Sequence, residues 1–197
     1  MEAIARADRQ LNATPDNVVA RCEAAKVPTV RHGDRARKLT ICNALDMIYG
    51  QRGAYAEAVC ENEAALRIGR ETSDRVHEGL ILNSLGASLN KLRRWDEART
   101  TLIDAVRVNT ECREQQLLGH ALSALADACM GREQFAESLE YLYSASHIRR
   151  LLGDRRGEGW LFEKMARAHR ALGNHVEAAS ATHMVERIAQ EAGSHTT

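Results

Sequence analysis

The chain has 197 residues, 44% apolar and 27% charged, a balance that supports a packed core and excludes a disordered segment. Its 27 basic and 27 acidic residues cancel, so nothing in the overall charge draws it to a phosphate backbone, and nucleic acid is not an expected partner. No run of about 18 apolar residues could span a bilayer.

The N-terminal stretch MEAIARADRQLN has no apolar core of the kind a signal peptide carries. The five cysteines, Cys22, Cys42, Cys60, Cys112 and Cys129, are odd in number and form no Cys-x-x-Cys pair. Both features predict a reduced, cytoplasmic setting. Residues 1–33 read as a hairpin of helices near 2–11 and 15–26. The second begins at Thr14-Pro15, a capping residue followed by one suited to the first helical turn, and ends at Val27-Pro28.

From Gly33 onward there is no proline, so nothing forces a helix to break. Four short segments then resemble one another: Tyr55-Ala56-Glu57-Ala58, Trp95-Asp96-Glu97-Ala98, Phe135-Ala136-Glu137-Ser138 and His175-Val176-Glu177-Ala178. They recur every 40 residues and divide residues 34–193 into four gapless blocks, 34–73, 74–113, 114–153 and 154–193, with a tail at 194–197. Three blocks open with Asp-Arg: Asp34-Arg35, Asp74-Arg75 and Asp154-Arg155. Each block carries two helical patterns. In the second, Leu82, Leu85, Gly86 and Leu89 share one face, the polar break Lys91–Arg94 follows, and then Ala98, Leu102, Ala105 and Val106 share another. Small residues recur in register where helices must approach closely: Gly86, Ala126 and Ala166; Ala58, Ala98, Ser138 and Ala178; Ala65, Ala105 and Ala145. Shifted by one repeat, Val18, Cys22 and Ala25 align with Ala58, Asn62 and Ala65. Residues 1–33 are therefore expected to be a degenerate hairpin that caps the array.

The pattern Leu82, Leu85-Gly86, Leu89, Ala98, Leu102, Ala105, repeated as Leu122, Leu125-Ala126, Cys129, Ser138, Leu142, Ala145 and as Phe162, Met165-Ala166, His169, Ala178, Thr182, Val185, resembles the tetratricopeptide repeat family. Cys42, Leu45-Asp46, Tyr49, Ala58, Asn62 and Ala65 fit it more loosely. The family's usual period is about 34 residues, so a step of 40 resembles the longer-helix variety found in kinesin light chains. The phrase Leu152-Gly153-Asp154-Arg155-Arg156-Gly157-Glu158 is also similar to repeats in large actinobacterial regulators. The resemblance implies an all-α fold, a right-handed solenoid of antiparallel helix pairs with about ten helices.

It further implies that the first helix of each pair lines a concave groove. Positions i, i+3, i+7 and i+10 would face it: Thr40, Asn43, Met47 and Gly50; Leu80, Asn83, Ala87 and Asn90; His120, Ser123, Asp127 and Met130; Trp160, Glu163, Arg167 and Arg170. In the family, asparagines in the Asn43/Asn83 column bond a ligand's backbone; the same amides could instead bond across repeats. Arg167 and Arg170 could grip a carboxylate or phosphate, with Trp160 as a stacking surface. Structural roles stand beside these: Glu163 and Arg167 are spaced for an intrahelical pair, and Asp127 suits a bridge to Arg167. The expected partner is a protein or peptide segment, acidic or with a free C-terminus, held without any cofactor. A second copy docking through the last hairpin is a further expectation.

His169, His175 and His183 lie close in sequence, but zinc needs three or four convergent ligands. His169 falls in the column of Tyr49, Leu89 and Cys129, and His175 in that of Tyr55, Trp95 and Phe135, so both are expected to pack rather than to bind metal. No phosphate loop or nucleophile elbow occurs. The expected function is a non-enzymatic scaffold or regulatory module. A ligand-sensing domain of a transcriptional regulator, a self-assembling structural protein and an enzyme of unknown type remain as alternatives.

Overall fold

The computed structural model of the protein describes residue 48, residues 52–72 and residues 74–194. The hairpin expected at residues 1–33 and the expected groove residues Asn43 and Met47 lie outside the described residues. Seven helices follow one another within them: α1 (Tyr55–Thr72), α2 (Arg75–Lys91), α3 (Trp95–Glu111), α4 (Gln115–Gly131), α5 (Phe135–Leu151), α6 (Arg155–Ala171) and α7 (His175–Ser194). The described residues contain helices and turns and no strand.

The period of 40 has a simple origin. Each helix from α2 to α6 has 17 residues, and each connection between them leaves three residues outside a helix. Two helices and two such turns make one repeat. The turns share one backbone solution: the middle residue is left-handed, as at Gly53, Arg93, Arg113, Glu133, Gly153 and Gly173. This conformation ends a helix and lets the chain reverse. Glycine adopts it freely, whereas Arg93, Arg113 and Glu133 hold it at φ of 59°, 59° and 62° against the steric preference of a side chain.

Helix starts are fixed by the Asp-Arg phrases. Asp74 accepts a bond from the His77 backbone N–H at 3.1 Å, and Asp154 accepts one from Gly157 at 2.8 Å, each capping an otherwise orphaned donor. The following arginine reaches further. Arg75 pairs with Glu78 on its own helix and with Glu111 at the end of α3. Arg155 repeats this 80 residues later with Glu158 and Glu191. Glu78 and Glu158 are buried, whereas the links to the partner helix, through Glu111 and Glu191, lie at the surface. In the intervening repeat the same positions are Gln115, Leu118 and Leu151, and no clasp forms; Leu151 stands 71% exposed.

The core is the small-residue columns and what packs into them. Ala58, Ala98, Ser138 and Ala178 are all buried, as are Ala65, Ala105 and Ala145 and the column Gly86, Ala126, Ala166. A methyl group on Gly86 would strike the Leu102 side chain, so α2 and α3 approach more closely than a Cβ allows. Successive helices pack on one another along the chain, and α2 also packs directly on α4. Backbone contact between α4 and α6 is much sparser. That difference in spacing opens the site described next.

Candidate functional site

Among the described residues a groove of about 1070 Å³ runs over the first helices. It begins at the end of α2 (Ala87, Asn90, Lys91) and the adjoining turn residue Arg93, crosses α4 at Ser123, Asp127 and Met130, and extends along α6 from Gly157 and Trp160 to Arg167 and Ala171. Most of the face expected from the 3.6-residue period is therefore gathered on one surface: Asn90, Ser123, Asp127, Trp160, Glu163 and Arg167 all line it. Asn83, His120 and Arg170 do not. Arg170 turns instead toward α7, where its guanidinium lies 3.5 Å from Thr182 Oγ1.

The asparagines act between repeats. Asn83 Nδ2 donates to the Leu117 carbonyl at 2.9 Å, and Asn90 Nδ2 to the Ala124 carbonyl at 2.8 Å. Both acceptors belong to α4, so the two amides staple α2 to α4. Asn83 Oδ1 also faces the amide of the fully buried Asn109 at 3.4 Å. Asn90 is 8% exposed, and its Oδ1 is enclosed without a partner.

Between α4 and α6 the connection is ionic. Lys164 Nζ donates to Asp127 Oδ2 at 2.7 Å and to Ser123 Oγ at 3.0 Å, crossing the wider gap with a long side chain. Asp127 thus pairs with Lys164 and not with Arg167, because Lys164 stands directly opposite it where the equivalent residues, Ser84 and Ala124, are short. Among the described residues Arg167 reaches only the Met130 sulfur, at 3.5 Å. Trp160 is 54% exposed, and the Arg156 guanidinium lies 5.2 Å from its ring centre, a cation–π distance. Five basic side chains line the groove (Lys91, Arg93, Arg149, Lys164, Arg167) against two acidic ones (Asp127, Glu163), and among the described residues Lys91, Arg93 and Arg167 meet no carboxylate.

At the far end Arg149, from the last turn of α5, lies against the start of α6 and pairs with Asp154. The bond from the Gly157 N–H, together with Arg149, holds the Asp154 carboxyl below its usual range. On α4, burial lowers the His120 imidazole's proton affinity, and the Arg149 charge lowers it further.

Lys91, Arg93, Arg149 and Lys164 were not among the residues expected from the sequence. Lys91 and Arg93 lie at and beyond the end of the helical face. Lys164 lies one residue off the stripe, and Arg149 belongs to a second helix. A signal existed for the last two: each is the sole charged residue in its column, with Ser84 and Ala124 beside Lys164, and Gly69, Asn109 and Ala189 beside Arg149.

The histidine expectations divide. His169 is buried as its column implied, bonded through Nε2 to the Tyr143 hydroxyl at 3.0 Å and through Nδ1 to Asn174 at 3.4 Å. His175 is exposed, contrary to expectation. Its counterpart Trp95 lies against Gly131 of the next repeat, and no later helix among the described residues covers His175 in that way. Among the described residues no group of three His, Cys, Asp or Glu side chains could hold a metal ion, and no helix is long and apolar enough to cross a membrane.

No protein-family model matches the sequence, and the comparison with curated proteins gives no match. Solved structures do match. BtubC (BKLC) from P. vanneervenii superposes with a TM-score of 0.83 at 18% identity, over 94% of this chain and 77% of that one. The apo form of RapI gives 0.85 at 11% identity, over 98% and 69%. A putative kinesin light chain with nearly identical TPR-like repeats from Podosopora anserina gives 0.76 at 22% identity, over 97% and 93%.

Proposed function

We propose, from a fold that is a tetratricopeptide-like α-solenoid, that this chain is a non-enzymatic binding module which holds an acidic protein segment in the groove over α4 and α6. The observation that carries this reading is the charge of the groove. Among the described residues three of its five basic side chains have no carboxylate partner, although acidic residues are as numerous as basic ones in the full sequence. A cation left open in a concave surface is available to an external anion, and the exposed Trp160 ring adds apolar area beside it. A groove already formed lowers the ordering cost of the segment that enters it. The three described cysteines carry no disulfide, in keeping with the reducing cytoplasm as the module's setting.

The test is an array of acidic and charge-neutral peptides probed with wild type and with Arg167→Glu. Among the described residues Arg167 has no ionic partner to lose, so the substitution should leave the melting curve unchanged. It should weaken acidic-peptide capture at least several-fold and flatten its dependence on salt. Equal capture of both peptide classes by wild type would overturn the reading.

A further inference from the structure

We propose that Arg149 is the groove's fixed anion contact and that it takes a side-chain carboxylate of the bound segment. This deepens the acidic-segment reading and rests on it. Arg149 lines the groove although it comes from α5, a second helix, and its side chain is 11% exposed. A guanidinium offers five N–H donors in a rigid plane. Here Asp154 takes one of them, and Nε is enclosed without an acceptor. A nearly buried cation with so few partners calls for a second anion.

Its position is set from two sides. Asp154 is itself held by the Gly157 backbone N–H at 2.8 Å, and a methyl group on Gly157 would collide with Arg149 Nη1. Gly157 therefore leaves the space in which the guanidinium lies. The solenoid does not require a charge at this point. The equivalent junction between α3 and α4 has Asn109, Glu114 and Leu117 in place of Arg149, Asp154 and Gly157, and Asn109 is fully buried there. The trio belongs to the one junction that borders the wide gap between α4 and α6.

The experiment measures fluorescence anisotropy with a labelled, C-terminally amidated peptide of alternating Glu and Ala, and with the same peptide carrying Gln for Glu. Wild type, Arg149→Asn, Arg149→Lys and Arg167→Glu are compared, each checked by circular dichroism. Arg149→Asn installs the residue that the preceding repeat already accommodates. The readout is the Glu-over-Gln affinity ratio within each protein sample, which a partly folded fraction does not alter. The expected result is a ratio about tenfold lower in Arg149→Asn, with Arg149→Lys in between, because a lysine keeps the charge but loses the planar fork. If Arg149→Asn does not fold, a ratio in Arg149→Lys equal to wild type overturns the proposal. An unchanged ratio in Arg149→Asn with a lowered one in Arg167→Glu overturns it while leaving the acidic-segment reading standing. No preference for Glu in wild type overturns both. A free-acid Gln peptide that binds as tightly as the amidated Glu peptide would assign Arg149 to a terminal carboxylate and overturn the side-chain assignment.

Discussion

Replacing the two stapling asparagines by alanine should have unequal effects, and the inequality follows from their surroundings. Leu117 and Ala124 lie inside α4, so their carbonyls keep their helical donors when a staple is removed. Asn90→Ala loses one bond worth about 1 kcal/mol. It also deletes an Oδ1 that is already enclosed without a partner, so its net cost should be about 0.5 kcal/mol. Asn83→Ala loses an equal bond to Leu117 and in addition strands the Asn109 amide, which is fully buried and has Asn83 Oδ1 as its acceptor. An orphaned buried donor costs about 1–3 kcal/mol, so the total for Asn83 should be about 2–3 kcal/mol. Urea unfolding at constant m reads both values, and thermal melts should fall by about 5–10 °C for Asn83→Ala and by about 1–2 °C for Asn90→Ala. Neither substitution should change acidic-peptide affinity by more than about twofold, since both amides face α4. A larger loss at Asn90 than at Asn83, or intact melts with abolished binding, would refute the staple and make these residues ligand contacts.

Arg93→Gly, Arg113→Gly and Glu133→Gly each relieve a left-handed residue and should raise the urea midpoint by about 0.5–1 kcal/mol equivalent; Arg93→Gly alone should also weaken the acidic peptide, because only Arg93 of the three lines the groove. Glu158→Ala removes the buried carboxylate of the Arg155 clasp and should cost about 1–3 kcal/mol, whereas Leu118→Ala at the equivalent position of the unclasped repeat is an apolar truncation that salt will not modulate. In an NMR titration the His120 pKa should rise in Arg149→Asn, since a neighbouring cation that lowers it has gone. Because folding disfavours the charged imidazole, His120 should reduce stability only as pH falls below its unfolded value of about 6.5; an unmoved pKa would show that the Arg149 charge does not act on it.

Periodicity made the fold legible. The columns at Ala58, Ala98 and Ser138, or at Leu102 and Leu142, are repeated measurements of one packing environment, so the 40-residue step located the helices and the buried positions together. It also predicts which residues share one face of a first helix, and Asn90, Ser123, Asp127, Trp160, Glu163 and Arg167 do lie along one surface, since a stripe on a helix is a property of that helix alone. What lay across helices was less visible. Which of Lys164 and Arg167 would reach Asp127 depends on the gap between α4 and α6, and no single-helix pattern encodes that distance. Arg149 projects into the groove from a second helix, through a space that Gly157 leaves open, and that relation exists only after the repeats have stacked. His175 was misread because a column assigns each repeat the same neighbours, and the last repeat described has none beyond it.

The groove is built from two kinds of joint, and the difference bears on how it would hold the proposed segment. Where α2 meets α4, neutral amides donate to backbone carbonyls and the helices touch. Such a joint is indifferent to salt and fixes one spacing. Where α4 faces α6, a partly exposed lysine–carboxylate pair and an arginine–sulfur contact cross a wider gap. Ion pairs of this exposure contribute little net energy, so this spacing is held weakly by its own contacts. The rigid joint contributes the floor and register of the groove, while the ionic joint leaves the cations exposed to an incoming anion. An acidic segment that bound Arg149 and Arg167 would lie across that weaker joint and bridge α5 to α6. Among the described first helices that is the interval which the chain's own contacts fix less tightly, and ligand-induced protection from hydrogen exchange would be greatest in α4 to α6.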